Sequence, residues 1–193
     1  AINIHTEDTD TGDGYAFSSG DLMLTAGNDI NINKVITVGP NATLSLNHGW
    51  NGNTETPTYG NGGKITFGMN ETKTDFDGKV VFAMHPVPES TTNGIWINDV
   101  EQTIIRTKEQ LQELSNDARG YNVNGSEEVA TALNGNFVLA SDLDMTGISF
   151  VPIGRSHGTL QDYSLDFKGT FNGLGHTISN LTLTTAAGDN QFK

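Results

Sequence analysis

The sequence predicts an all-β fold, a solenoid of stacked β-coils with a small helical excursion, and three observations lead to it. First, apolar doublets with one residue between them recur at regular intervals in the first third of the chain. Second, the 193 residues include 23 Gly, 24 Thr and 20 Asn, which is rich in turn formers and β-branched residues. Third, cysteine is absent, so disulfides and thiolate metal sites are excluded and the redox compartment cannot be inferred from thiols. Backbone ladders and stacked apolar side chains must therefore hold the fold.

The doublets predict one buried column of side chains. The first consists of Ile2 and Ile4, and the next three begin at Leu22, Leu44 and Ile65, so the spacings are 20, 22 and 21 positions. Two residues that lie two apart in a strand point to the same face. If each unit of about 20 residues is one coil, successive doublets stack in register.

Two further apolar pairs, "INI" at 30–32 and "ITV" at 36–38, supply other sides of the same coil. One buried ladder side chain contributes about 1.5–3 kcal/mol, so a single coil cannot offset its ordering entropy, whereas several stacked coils can. Corners need positive φ or the preset φ of proline. The residues of these types that lie between the doublets are Gly27, Asn28, Gly39, Pro40, Asn41 and Gly49.

The repeat loosens after Phe67. The stretch "KVVFAM" predicts a strand that ends before Pro86 and Pro88, and "TTNGIWIND" and "VEQTIIRT" predict two more short strands. A helix follows, because Thr107 as N-cap and Gln110 three residues later make a capping box. Its apolar stripe and its stop signal are Leu111, Leu114, Ala118 and Gly120. A second helical turn is expected near 127–133, before β-structure resumes with "NFVLASDLDM".

These elements predict three regions. Residues 1–100 form β-helix coils of about 20 residues, 101–135 form a helix-containing module that protrudes from the coils, and 136–193 form the last β-helix coils. Deleting the protruding module is expected to leave the coils folded.

The acidic charge balance argues against some classes of binding partner. The formal net charge of −13 opposes binding to nucleic acid and to anionic lipid surfaces. No apolar run approaches the roughly 18 residues that span a bilayer, so we expect no membrane insertion. No basic-plus-apolar leader opens the chain at Ala1, so we expect either that a targeting segment was removed or that the chain is part of a longer protein.

Two parts of the sequence resemble bacterial surface exoproteins. After Thr103, the pieces "IIRTKEQLQEL", "GNFVLASDLDMTG", "FVPIG" and "FKGTFNGLGHTISNLTL" follow in the order of the GLUG-motif segment of large bacterial surface proteins. The first 70 residues, with "GDLMLTAGNDININKVITVGPNATLSLNHG", resemble the repeats of filamentous-haemagglutinin-like exoproteins of two-partner secretion, of the high-molecular-weight adhesin type.

The resemblance implies a right-handed parallel β-helix that is exported through an outer-membrane secretion partner. It implies display outside the cell or on the bacterial cell surface, no cofactor and no catalytic residue in this region. The positions that match the GLUG pattern are implied to be structural, and they are Gly169, Phe171, Gly173, Gly175, His176, Ile178 and Leu181.

The "FNGLGHTISNLTL" stretch admits an active-site loop or a coil corner. We expect a corner in which Gly173 and Gly175 adopt backbone angles that side chains forbid. His176 is then a corner hydrogen-bonding residue rather than a base, metal ligand or haem ligand, since no His-x-x-x-His or Glu-x-x-His spacing accompanies it. Asp142 and Asp144 share one strand face, as an acid and base pair of a carbohydrate-cleaving enzyme would, but we expect them to cap turns.

The acidic stretch "EDTDTGDG" is a weak calcium candidate through Asp8, Asp10 and Asp13. Gly12 stands where the third acid of an EF-hand loop belongs, and Ser19 where its bidentate Glu belongs, so a solvated loop is preferred. Four Asn-x-Ser/Thr sequons are possible glycosylation sites, although so Asn- and Thr-rich a chain yields such triplets by chance. They begin at Asn41, Asn70, Asn124 and Asn180.

Two classes of function remain. The first is a non-enzymatic segment of a large secreted adhesin that attaches to host cells or surfaces through a host-cell receptor or glycan. The second is an exoprotein of the same secretion class that acquires haem through haemopexin, with a β-helical polysaccharide-degrading enzyme as a distant third. Clusters of catalytic acids, which such an enzyme needs on neighbouring coils, are missing from the sequence pattern.

Overall fold

The structure, a computed structural model, describes residues 2–4, 15–68, 78–84, 91–117, 133–150, 152–153 and 167–184. The described part is mostly β, contains parallel sheets and forms no closed barrel. The chain divides into two compact units. The first contains Ala1–Ile104 and Gly173–His176, and the second contains Ile105–Asn172 and Thr177–Lys193.

The first unit contains two parallel sheets. Its strands are β1 (Ile2–Ile4), β2 (Tyr15–Thr25), β3 (Ile30–Ile32), β4 (Ile36–Asn47), β5 (Ile65–Phe67), β6 (Val80–Phe82), β7 (Gly94–Ile97) and β8 (Val100–Glu101). Strand β3 lies between β1 and β5 in one sheet. In the other, the long strand β4 pairs with β2 on one side and with both β6 and β7 on the other, and β8 adds to β7 antiparallel. All pairs in this unit except the last are parallel.

The predicted single column is wrong in part. Leu22 does pair with Leu44, but the next residue in this ladder is Ile95. Ile2 and Ile65 both pair with Ile30 in the other sheet. The physical reason is that every side of the structure uses the same apolar-x-apolar doublet, so spacing alone does not tell which strands meet.

The core of the first unit is aliphatic. Alternation along β4 buries Ile36 and Val38 and, further on, Leu44 and Leu46. Within these two doublets, Thr37 and Ser45 are half-buried. At about 1.5–3 kcal/mol for each buried side chain, this one strand supplies a large part of the unit's hydrophobic stabilisation. The hydrophobic strand residues of this core that are 0% exposed lie on β3, β4, β6 and β7, and they are Ile30, Ile32, Ile36, Val38, Leu44, Leu46, Val80 and Ile95.

The second unit uses shorter strands. They are β9 (Thr103–Ile105), which ends at the first residue of the unit, and β10 (Asn136–Leu139), β11 (Leu143–Asp144), β12 (Ser149–Phe150), β13 (Thr170–Asn172), β14 (Ile178–Ser179) and β15 (Thr182–Leu183). Strand β10 lies between β9 and β13, while β11 pairs with β14 and β12 with β15. The last three pairings are parallel and join Phe137 to Phe171, Leu143 to Ile178 and Phe150 to Leu183.

The predicted capping box is confirmed at the start of α1 (Lys108–Asp117). The Gln110 N–H donates to Thr107 Oγ1, and the Thr107 N–H donates to Gln110 Oε1, both at 3.3 Å. Leu111 and Leu114 are buried in a core cluster that also contains Phe137 and Phe150. Because these leucines belong to the core, α1 is an integral part of the second unit.

The remainder of the predicted protruding module lies mostly outside the described residues. Ala118 and Gly120 fall there, as does the expected second helical turn except for Leu133, which is helical and buried. That residues 118–132 protrude stays a prediction, as do the three regions that the sequence predicts.

Candidate functional site

The segment 173–176 of the first unit is a tight turn. The His176 N–H donates to the Gly173 carbonyl at 2.8 Å, and the central residues Leu174 and Gly175 have φ of 49° and 85°. Two positive φ values in succession define a type I′ turn. Gly175 adopts the expected left-handed conformation, but the prediction for Gly173 is wrong, because the second positive φ falls on Leu174. Full burial of the Leu174 side chain holds this residue in place.

His176 acts through its ring in the same unit. Its Nε2 lies 2.8 Å from the Val80 carbonyl, and the Val80 N–H donates to the Leu174 carbonyl at 3.0 Å. Since a carbonyl oxygen only accepts, Nε2 is assigned the proton. The imidazole thus ties the turn to strand β6, and using Nε2 as a general base would require breaking this bond.

Gly169 and Phe171 have structural surroundings in the second unit. The Gly169 N–H donates to the Leu133 carbonyl at 2.9 Å, and a Cβ at Gly169 would collide with the Gly135 carbonyl. Phe171 packs partly buried against the core cluster, in register with Phe137. The lack of space for a side chain at Gly169 and the packing of Phe171 beside Phe137 are consistent with a corner that leads into a strand.

Asp142 and Asp144 bind the backbone and side chains of neighbouring turns. Asp144 Oδ1 accepts hydrogen bonds from Asn180 Nδ2 and from the N–H and Oγ1 of Thr146, at 2.9, 2.9 and 2.7 Å. These bonds, that from Asn180 first, lower the pKa of Asp144 to about 2. Asp142 Oδ1 accepts from the Thr177 N–H at 2.8 Å. A carboxylate with so low a pKa is ionised at neutral pH and is a poor proton donor.

Two of the four sequons are described. Asn41 is exposed on β4, where its Oδ1 lies 3.3 Å from the donor Thr92 Oγ1. Asn180 is also exposed, but its Nδ2, the atom that a glycan would modify, donates to Asp144. Asn70 and Asn124 lie outside the described residues.

The calcium candidates Asp8, Asp10 and Asp13 also lie outside the described residues. Within the ranges that are described, no three His, Asp or Glu side chains are arranged to hold a metal ion.

Among the described residues, a pocket in the first unit offers a candidate binding site. It lies at the 48–64 loop, the segment that connects β4 to β5, and has a volume of about 300 Å³ with a wide opening. Its lining combines two aromatic rings and a proline with short polar side chains, namely Thr25, Trp50, Asn53, Thr54, Pro57 and Tyr59. Such a mixture of apolar surface and a few polar groups is typical of small-molecule sites.

Two asparagines organise the 48–64 loop. Asn51 Oδ1 accepts from the N–H groups of Asn53 and Thr58 at 3.1 and 3.3 Å, while its Nδ2 donates to the Thr56 carbonyl at 3.1 Å. Asn53 Oδ1 accepts from the Glu55 and Thr56 N–H groups at 2.9 and 3.1 Å. These Asx-type turns fix an exposed segment that has no strand or helix of its own.

The base of the loop is tied to the sheets. The N–H groups of Gly49 and Trp50 donate to the carbonyls of Asn28 and Ala26 at 3.1 and 3.0 Å. Gly49 has a φ of 64°, and a Cβ there would collide with the backbone of residues 61 and 62. Asn98 Oδ1 accepts from the His48 N–H at 2.9 Å and so fixes the start of the loop. The start of the loop, and with it Trp50 in the pocket wall, is therefore fixed by hydrogen bonds to residues 26, 28 and 98.

This pocket does not follow from the sequence pattern, although Gly49 is predicted to lie at a corner. Trp50 and Tyr59 have no periodic relation to the strand doublets, so a search for repeats passes over them. A usable signal was the alternation of Asn51 and Asn53 with Gly and Thr, which is typical of consecutive Asx turns.

No helix in the described part of the chain is long and apolar enough to cross a membrane. Comparison of the chain with family models, with curated proteins and with solved structures gives no significant match. The residues themselves must therefore support any functional conclusion.

Proposed function

We propose that this chain is a non-enzymatic segment of a large secreted bacterial surface adhesin, folded as a right-handed parallel β-helix. In this proposal the parent protein passes through an outer-membrane secretion partner and is displayed at the cell surface. Its outward faces and loops then attach it to host cells through a receptor or glycan.

The observation that carries the proposal is the parallel register within each unit. In the first unit, Tyr15, Ile36 and Val80 follow one another in one ladder. In the second unit, partners such as Asn136 and Thr170 lie 34 residues apart. Parallel neighbours require the chain to return to the same end before each new strand, and a repeated return is how a β-helix is built.

Polar side chains pair across neighbouring strands on the outward faces, which suits a surface protein. Asn31 and Thr66, neighbours on adjacent strands, hydrogen bond through their side chains, and Asn136 and Thr170 do so at 2.7 Å. Such ladders keep the outside of a stacked sheet hydrated while apolar residues fill the inside. Exposed polar ladders of this kind offer many weak polar contacts, as adhesion needs.

The contacts of the two aspartates favour a structural interpretation over the enzymatic one. Asp142 and Asp144 are occupied by turn hydrogen bonds, and the lowered pKa of Asp144 does not suit a general acid at neutral pH.

The proposal is tested with beads coated with the 193-residue chain and applied to epithelial cell monolayers. We expect bead attachment well above that of beads coated with the same chain after heat denaturation. Equal attachment of the two bead types, or capture of haemopexin by the folded chain without cell attachment, would contradict the adhesin proposal.

A further inference from the structure

We propose that the pocket at the 48–64 loop is a glycan-binding site, and that it takes a neutral pyranose sugar. This inference rests on the proposed adhesin function for its biological role, since it names the class of surface molecule that the adhesin would contact. The chemistry of the pocket carries the inference by itself.

The aromatic side chains supply a stacking surface. Trp50 and Tyr59 line the pocket and are partly exposed, and Pro57 adds a further apolar surface. The C–H face of a pyranose packs on such rings, and aromatic side chains contribute a large contact area with little loss of side-chain freedom. The Trp50 Nε1–H donates to the Asn53 carbonyl at 3.3 Å, which holds the indole in place before a ligand arrives.

The polar groups are arranged for sugar hydroxyls. Because Asn53 Oδ1 accepts two backbone N–H groups, the orientation of the Asn53 amide is set, and its Nδ2 has no partner within the described residues. The hydroxyls of Thr54 and Tyr59 likewise have no partner in the part of the chain that the structure describes. One oriented amide donor and two hydroxyls that can both donate and accept match the mixed donor and acceptor demand of a sugar ring.

The charge around the pocket and its volume restrict the range of glycans that can bind. The six described lining residues include no charged side chain, and Glu55 stands next to Thr54 on a chain whose net charge is −13. This field opposes sialylated and sulfated glycans and leaves neutral ones. A volume of about 300 Å³ is at the small end for ligand sites, so one or two sugar rings fit. We expect a dissociation constant on the order of 1 mM for a monosaccharide, because an open pocket buries only part of it.

The direct test titrates the 193-residue chain with methyl galactoside, N-acetylglucosamine and lactose while recording the indole Nε1–H resonances by NMR. The two tryptophans make an internal control, because Trp96 is 38% exposed on β7 and does not line the pocket. We expect at least one neutral sugar to shift the Trp50 signal and to leave the Trp96 signal unchanged. No shift with any of the three sugars, or equal shifts of both signals, would overturn the proposal, as would stronger binding of sialyllactose than of lactose.

Variants sharpen the test. Trp50→Ala is expected to weaken sugar binding about tenfold, and Trp96→Ala to change it less than about twofold. If Trp50→Ala does not fold, Tyr59→Ala replaces it, with Tyr15→Ala as its matched control, since Tyr15 is 53% exposed on β2. Equal losses in the pocket variant and its control would count against the site.

The outcome for the pocket is separable from that for the adhesin proposal. If lactose shifts the Trp50 signal but coated beads do not attach to cells, the glycan site stands and the adhesin function fails. If beads attach equally well with Trp50→Ala and no sugar shifts Trp50, the adhesin function stands and the glycan site fails.

Discussion

The two units reach parallel strand register by different means. In the first unit, strands β2 and β4 have 11 and 12 residues, and they pair in parallel along their length with one register shift, between Phe17 and Ser19. In the second unit the strands have two to four residues, and the core combines Phe137, Met145 and Phe150 with leucines from α1. Along the long pair of β2 and β4, many consecutive backbone pairings hold the register. In the second unit, where the described strands are short, hydrogen bonds to Asp142 and Asp144 and the packing of α1 add stabilisation that short ladders do not provide.

The largest expected effect is in the aliphatic ladder. Leu44→Ala should lower the free energy of unfolding by about 3–5 kcal/mol, because Leu44 is fully buried between its register partners Leu22 and Ile95 and the rigid ladder cannot close the cavity. Denaturant unfolding measures the loss, and amide exchange should locate it in β4 and β7. Ser45→Ala, on the opposite face of the same strand, serves as the control and should cost less than about 1 kcal/mol.

The next effect tests whether α1 belongs to the core of the second unit. Leu111→Ala should cost about 2–4 kcal/mol, somewhat less than Leu44→Ala, because a helix at the edge of a core relaxes more easily than a ladder. Exposed Glu113→Ala on the same helix is the matched control. If unfolding is unaffected by Leu111→Ala, α1 is a separable module, as the sequence suggested.

A smaller effect distinguishes two glycines of one turn. Gly175→Ala should cost about 1–3 kcal/mol, since Gly175 has a φ of 85° and its Cβ would collide with the Gly78 carbonyl. Gly173→Ala should cost less than about 1 kcal/mol, because the nearest atom to a Cβ there is the His176 carbonyl oxygen at 3.3 Å. Thermal melts of both variants measure the difference, and a larger loss for Gly173→Ala would contradict the turn geometry.

The smallest effect concerns pH and the turns of the second unit. The pKa of Asp144 is lowered to about 2 in the folded chain, so its contribution to stability is present above the unfolded pKa of about 3.9 and is lost as pH falls toward 2. Melting temperature should therefore fall more steeply between pH 4 and about 2 in the wild type than in Asp144→Asn, which lacks the titrating group. Parallel curves for the two proteins would show that the hydrogen bonds of Asp144 do not matter to stability.

The sequence predicts local structure in this chain better than it predicts which strands meet. Strand doublets, the Thr107 capping box and the conformation of Gly175 follow from short-range periodicity and sterics, and the structure has them. The strand partner of Ile65 cannot be predicted from the sequence, because Ile30 and Leu44 both belong to apolar-x-apolar doublets and spacing does not distinguish them.

The missed features share another cause. The positive φ of Leu174 is held by burial of its side chain, which is a tertiary effect that local propensity does not contain. The pocket at the 48–64 loop depends on Trp50, Tyr59 and Thr25 meeting across a long separation in sequence. Neither effect is visible in a window of a few residues.

The proposed β-helix requires the parallel register of the first unit, and spin labels measure this register directly. The chain has no cysteine, so Met23→Cys and Trp96→Cys can be labelled selectively. Both residues pair with Ser45 from opposite sides, so their Cα atoms should lie about 10 Å apart, two strand spacings. We predict strong dipolar broadening in the electron paramagnetic resonance spectrum of the doubly labelled chain. A spectrum equal to the sum of the two single-label spectra would contradict the stacked parallel register.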